Sequence, residues 1–191
     1  MTNKIPATIE EMRECYSTVY QAKGSNYCVN MNDPRKYDYV LDYVRRATGR
    51  VLDAGCGCGE DLKPLRDTGL DVYGIEFTKY CVEEILYGYP CECDDIVSHS
   101  KKGNKYAGII CMGVLEHLPP NLVDETIGAL RTMSDSLLCS IANHPDEQCG
   151  YVLHVIQETK DWWLPKLEIH FPHCQLVYEK KNLFIFECKG E

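Results

Sequence analysis

The sequence predicts an α/β domain with a doubly wound, mostly parallel sheet, helices on both faces and an antiparallel hairpin at its C-terminal end. Three observations carry this prediction. Short apolar runs alternate with stretches of helical period between residues 50 and 142, a glycine-rich loop joins the first run to a helix, and two adjacent strand-like runs close the chain.

Thr8 followed by Glu11 has capping-box spacing and opens a helix through Tyr20. Asp33 and Pro34 suit the N-cap and first turn of a second helix, with Tyr37, Val40, Leu41 and Val44 on one face and Gly49 as its stop. The period then changes. Arg50 to Ala54 is a short apolar strand running into the loop GCGCGE. A helix follows from about Glu60 to Thr68, with Pro64 tolerable near its first turn. Val72 to Phe77 is a second strand and Thr78 caps a helix through Tyr87. Cys91 to Ile96 is a third strand, Tyr106 to Met112 a fourth, and Leu137 to Ala142, after a helix over 121–133, a fifth. Gln175 to Glu179 and Leu183 to Cys188, joined by Lys180 to Asn182, form the closing hairpin.

Composition narrows the function classes. The 191 residues are 45% hydrophobic and 26% charged, which suits one compact domain. No apolar run approaches the ~20 residues of a membrane span. The N-terminus carries acidic residues and no apolar stretch, so it reads as neither a signal nor a transit peptide. The expected location is the cytoplasm, with the 12 cysteines as reduced thiols. A net charge of −9 makes a nucleic-acid backbone a poor main partner.

Function is most legible at VLDAGCGCGE. Glycines at 55, 57 and 59 let the backbone turn tightly and approach a ligand, and a helix start offers free N–H groups to an anion. Glu76 closes the next strand about 20 residues on, where an acid suits a ribose diol. A dinucleotide fingerprint would need a small residue at position 60, which is Glu60, so NAD is disfavoured. No Gly-Lys-Ser/Thr follows, so the phosphate-loop pattern fails as well.

The run Asp-x-Gly-x-Gly-x-Gly from Asp53 to Gly59 closely resembles the first motif of the class I S-adenosylmethionine-dependent methyltransferases. The resemblance covers roughly residues 36–142, continuing through Glu76, Asp95-Ile96 and IICMGVLEHL in that order. It implies a Rossmann-like fold, S-adenosylmethionine as cofactor and the following roles. Asp53 organises the loop and the donor's amino group. Backbone at Ala54, Gly55 and Gly57 cradles the methionine part, Cys56 filling a variable slot between them. Glu76 takes the ribose hydroxyls, Phe77 and Ile96 sandwich the adenine, and Thr78 adjoins them. Asp95 accepts from the adenine amino group, with Asp94 as the alternative in a slipped register, and Met112, Gly113 and Val114 floor the pocket beneath the sulfonium. The fourth strand departs from the family in reading Tyr106-Ala107 where an aromatic-Asp pair is frequent.

On that resemblance the single domain divides into an N-terminal helical annex (1–48), a donor-binding core (49–142) and an acceptor-side segment with the hairpin (143–191). His117, directly after the fourth strand, is the first candidate for a general base. His144, Asp146 and His154 follow the fifth strand, where loops of this fold cover the acceptor. Tyr16 and Tyr20, one helical turn apart, are placed either to close over the donor or to fill the core. Trp162 and Trp163 read first as core contacts and second as an aromatic platform. No paired Cys-x-x-Cys or His-Glu-x-x-His occurs, so no metal is expected. The expected reaction is methyl transfer to an oxygen or nitrogen of a small molecule or glycan. Methylation of protein or RNA, and a non-catalytic donor-binding module, are the alternatives.

Overall fold

A computed structural model describes residues 3–29 and 34–190; the expected N-cap Asp33 lies outside them. The apolar runs form β1 (Val51–Ala54), β2 (Val72–Glu76), β3 (Cys91–Cys93), β4 (Gly108–Met112) and β5 (Ser136–Ala142). A two-stranded ribbon follows, β6 (Glu147–Gln148) and β7 (Tyr151–Val152), and the hairpin is β8 (His173–Lys180) with β9 (Leu183–Lys189). The main sheet has the order β3-β2-β1-β4-β5-β9-β8. Strands β3 to β5 are mutually parallel and β9 runs antiparallel to both of its neighbours, as the mixed-sheet prediction requires.

Both faces of the sheet are covered, which is why the central strands are apolar throughout instead of alternating with polar residues. Their period of two sorts Leu52, Ile109, Leu137 and Cys139 onto one face and Val51, Ile110 and Leu138 onto the other. Helices α6 (Val123–Met133) and α7 (Lys160–His170) bury Ile127, Leu130, Trp163 and Leu167 against the first face. Helices α3 (Pro34–Arg46) and α4 (Leu62–Asp67) bury Val40, Val44, Leu62 and Leu65 against the second. Pro64 is the third residue of α4, so its missing N–H falls among the donors that a first turn leaves free anyway. The N-terminal α1 (Ile9–Lys23) and α2 (Asn26–Val29) form a third cluster through Tyr16, Tyr20 and Tyr27. Thr8 caps α1 by accepting from the Glu11 N–H at 3.2 Å, and the Glu11 carboxylate accepts from the Ala7 N–H at 2.8 Å. No described helix is long and apolar enough to cross a membrane.

Three expectations need correction. A helical segment does follow Thr78, but it covers only 79–85, with Cys81–Ile85 as a π-helical turn, and does not run through Tyr87; the Thr78 side chain does not cap it, because its hydroxyl, like its N–H, donates to the Glu76 carboxylate. The third strand stops at Cys93, since Asp95 accepts from the Ser98 N–H at 2.8 Å and caps an unanticipated helix, α5 (Ile96–Ser100). The β6–β7 ribbon also escaped the pattern: it turns at Cys149 and Gly150, both at positive φ, and its strands are too short to show a period. Cys174 and Cys188 are joined by a disulfide, so the thiols are not uniformly reduced. The antiparallel register of β8 and β9 sets these two directly opposite, which no sequence spacing displays. Cys15, Cys56, Cys81, Cys91, Cys93, Cys111, Cys139 and Cys149 carry free thiols.

Strands β1 and β4 are neighbours, yet the chain runs outward through β2 and β3 before crossing back to β4. That reversal opens a crevice beyond the C-terminal ends of β1 and β4, the place where open α/β sheets hold ligands.

Candidate functional site

The crevice is walled first by the glycine loop. Gly55, Gly57 and Gly59 have φ of +79°, +53° and +86°, a region that side chains strain to reach. A Cβ at Gly55 would stand 2.7 Å from Val114 Cγ2, so the loop also lies close against the strand-four turn. The loop is stitched to β2 by the N–H groups of Gly55 and Cys56, which donate to the Ile75 carbonyl at 2.9 and 3.0 Å.

Glu76, 3% exposed, organises the rest. One carboxylate oxygen accepts from the Gly57 N–H at 3.1 Å and the other from the Thr78 N–H at 2.9 Å and the Thr78 hydroxyl. The first oxygen, with a single hydrogen bond, keeps lone-pair capacity toward the cavity that Glu76 lines, whereas the second is filled by its two bonds from Thr78. Burial raises its carboxyl above the ordinary range, and the three hydrogen bonds pull the other way. Asp53, 2% exposed at the end of β1, also faces this cavity, and its Oδ2 has no hydrogen-bond partner among the described residues. Burial first, then the negative charges of Asp61, Glu60 and Glu76, push its carboxyl well up. A site that leaves a buried acid without a donor, ringed by further acids, is built for a cationic or donor-rich ligand.

Of the residues expected to hold a cofactor, Asp53, Gly55, Cys56, Gly57, Glu76, Phe77, Asp95, Ile96, Met112, Gly113 and Val114 line this one cavity. Ala54 and Thr78 are not brought to its wall: Ala54 is packed in the core under β1, and Thr78 is turned to Glu76. Asp94 and Asp95 both line it, so the register question between them is not resolved by position alone. Helix α1 closes the cavity with Met12, Tyr16 and Tyr20, and Arg13 ties that helix down by donating to the Phe77 carbonyl at 3.2 Å. Met12, Lys36, Asp61 and Leu118 were missed because each shows only helix or turn patterning; Glu60, adjoining the loop, carried a signal that was read only as a bar to NAD.

The histidines converge. His117 lines the cavity and is 6% exposed; its Nδ1 meets the Tyr16 hydroxyl and the Leu153 carbonyl, the latter at 3.0 Å. Burial, then the proximity of His154, pushes its pKa down to about 3, so the imidazole is neutral at ordinary pH. His154 lies behind it and His144 behind that, with successive ring centroids 4.6 Å apart. Neither His144 nor His154 reaches the cavity wall, and Asp146 is engaged instead by the Tyr27 hydroxyl at 3.1 Å. The sequence reading passed over Glu116, fully buried beside His117, which accepts from the Ala142 N–H at 2.7 Å and whose pKa burial raises to about 7. Trp163 is wholly buried in the core, and Trp162 carries the Lys166 ammonium 3.8 Å from its ring centroid; neither lines the cavity.

Comparison with known proteins identifies the family and the fold. A family model described as a methyltransferase domain matches residues 29–181. The ubiquinone biosynthesis O-methyltransferase of Coxiella burnetii is 25% identical over 123 residues, covering 60% of this chain and 53% of that one. The chain spans about half the length of the curated relatives it matches. Among solved structures, a magnesium protoporphyrin IX methyltransferase from Synechocystis with bound S-adenosylmethionine superposes with TM-score 0.62 at 21% identity, covering 97% of this chain and 93% of that one. The 1,6-didemethyltoxoflavin-N1-methyltransferase of Burkholderia thailandensis does so with TM-score 0.72 at 16% identity, over 100% and 94% of the two chains.

Proposed function

The chain belongs to the methyltransferase-domain family, and from that premise we propose that it moves a methyl group from S-adenosylmethionine to an oxygen or nitrogen of a small molecule or glycan. The observation that carries this reading is the pairing of the glycine loop with buried Glu76 around one cavity at the switch point of the sheet. The residues present fit the donor. Asp53, through its unpartnered Oδ2, would hold the donor's ammonium, Glu76 its ribose hydroxyls and Asp95 or Asp94 its adenine amino group, with Phe77 and Ile96 offering apolar surface to the adenine and Met112, Gly113 and Val114 lining the floor.

When bound, the donor supplies a methyl group on a positively charged sulfur. The chain's own part is then mostly alignment and exclusion of water, because an in-line displacement gains most from held geometry. Helix α1 does the excluding, with Met12, Tyr16 and Tyr20 roofing the cavity. His117 is the base of this reading through Nε2, because its Nδ1 faces the Leu153 carbonyl and so carries the ring proton; a pKa of about 3 makes it a weak base that takes the acceptor's proton late, as the methyl group is transferred. His144 and His154 stand behind His117 as its acceptor-side support. The small-molecule class is supported by the names of a relative, an O-methyltransferase of ubiquinone biosynthesis, and of a structural neighbour, a 1,6-didemethyltoxoflavin-N1-methyltransferase. The −9 charge supports the same class over RNA, and placement in the cytoplasm belongs to this reading.

The test is transfer of a labelled methyl group to a panel of phenols, sugars, amines, peptides and RNA. Label on a small hydroxyl or amine, with S-adenosylhomocysteine released, is the expected result. Label on peptide or RNA alone would overturn the substrate class, and donor bound without transfer to anything would mark a binding module. In His117→Ala, turnover at saturating acceptor is expected to fall while donor affinity holds; unchanged turnover would remove the base.

A further inference from the structure

The geometry points to a divalent transition-metal site made by Glu116, His117 and His154, behind the wall of the donor cavity. One potential ligand atom from each residue lies within 4.8 Å of the other two, and the side chains are 0%, 6% and 0% exposed. A bound metal with ~2.1 Å bonds holds its ligand atoms roughly 3 to 3.5 Å apart, so the three need to close by little more than an ångström.

What marks the cluster as a site is that its members are anchored on one side and bare on the other. Glu116 Oε1 accepts from the Ala142 N–H, whereas Oε2 has no partner among the described residues. The His154 Nδ1 faces the His144 carbonyl at 2.5 Å, and a carbonyl can only accept, so Nδ1 carries the proton. Its Nε2 is therefore an unprotonated lone pair, fully buried and without a partner. His117 is held in its turn by the Leu153 carbonyl. Backbone groups that fix the far atom of each ligand are the usual outer shell of a metal centre, and two imidazoles with one carboxylate suit zinc, cobalt or iron(II).

A second acidic-histidine cluster among the described residues sharpens the contrast. Glu92, Asp94 and His99 also converge, but Lys102 already supplies a cation there, 2.7 Å from Asp94 and 3.3 Å from Glu92, while Tyr106 meets His99 Nε2 and His99 Nδ1 stands 2.6 Å from the Glu92 carboxylate. No such group serves Glu116 Oε2 or His154 Nε2. Sequence spacing concealed the site because the turn after β4 provides two ligands and the segment beyond β7 the third. A metal here would clamp that segment to the sheet, and the base role given to His117 belongs to the metal-free chain.

The inference is tested on the chelator-treated full chain, with cobalt(II) as the probe, by equilibrium dialysis and visible absorption. Uptake of one equivalent with nitrogen-oxygen ligand-field bands is expected. Glu116→Gln, which can keep the Ala142 hydrogen bond, and His154→Gln are each expected to weaken that uptake at least tenfold while circular dichroism reports a folded chain. Three results would overturn the site: no cobalt bound by the folded wild type, uptake unchanged in both variants, or bands of thiolate ligation only. Because the readout is metal binding, it is independent of whether the donor and acceptor assignments hold.

Discussion

Glu76→Ala is expected to bind S-adenosylhomocysteine about 100-fold more weakly than wild type. The expectation follows from the role of one buried carboxylate, which both accepts from the Gly57 and Thr78 N–H groups and faces the ligand. Hydrogen bonds to a charged group contribute about 1.5 to 3 kcal/mol each, and a 100-fold loss corresponds to about 2.7 kcal/mol. Glu76→Gln separates the two duties, because it keeps one accepting oxygen for the loop and loses the charge. Burial holds the Glu76 carboxyl above its ordinary range, so the folded chain binds that proton more tightly than the unfolded one does. Ionised Glu76 therefore costs stability at neutral pH, and the cost fades as pH falls through the raised value. Glu76→Gln relieves that cost but leaves either the Gly57 or the Thr78 N–H facing an amide NH2 that cannot accept, so the two effects oppose each other and the variant should melt close to wild type at pH 7 while binding the ligand weakly. A variant that melts lower and binds normally would make Glu76 a loop brace and nothing more.

Trp163→Ala is expected to destabilise the chain by about 4 kcal/mol, the cost of truncating a fully buried large aromatic and leaving a cavity. In a chain of this size that lowers the melting temperature on the order of 10 °C. Trp163 packs in the same core cluster as Leu167 and Phe171, whereas its neighbour Trp162 is only partly buried. Trp162→Ala should thus cost far less. Trp163→Phe should recover most of the loss, since the indole N–H has no partner among the described residues and its removal leaves no donor stranded. Equal melting of the two alanine variants would contradict the core assignment and revive the platform reading of this pair.

How much of this was legible in the chain depends on how local each signal is. The parallel strands and the glycine loop announce themselves because their apolar runs and small residues are contiguous, and Glu76 because it closes a strand at a characteristic interval. Thr78 was misread because its hydroxyl has two available uses, capping a helix or serving a carboxylate two residues earlier, and burial of Glu76 decides for the second. Asp95 was read as a ligand-facing acid and also caps α5, because a single aspartate can accept from a backbone N–H and still face the cavity. The least legible parts are the long-range pairings. The disulfide depends on the β8–β9 register, and the gathering of Glu116, His117 and His154 depends on where the β6–β7 ribbon returns the chain. Neither has a spacing that a sequence pattern could register.

The central claim is tested most directly by calorimetric titration of the full chain with S-adenosylhomocysteine and, separately, with NAD. One S-adenosylhomocysteine bound per chain and no heat from NAD is the predicted outcome. Saturable NAD binding, or no uptake of the sulfur ligand by a folded chain, would contradict the account.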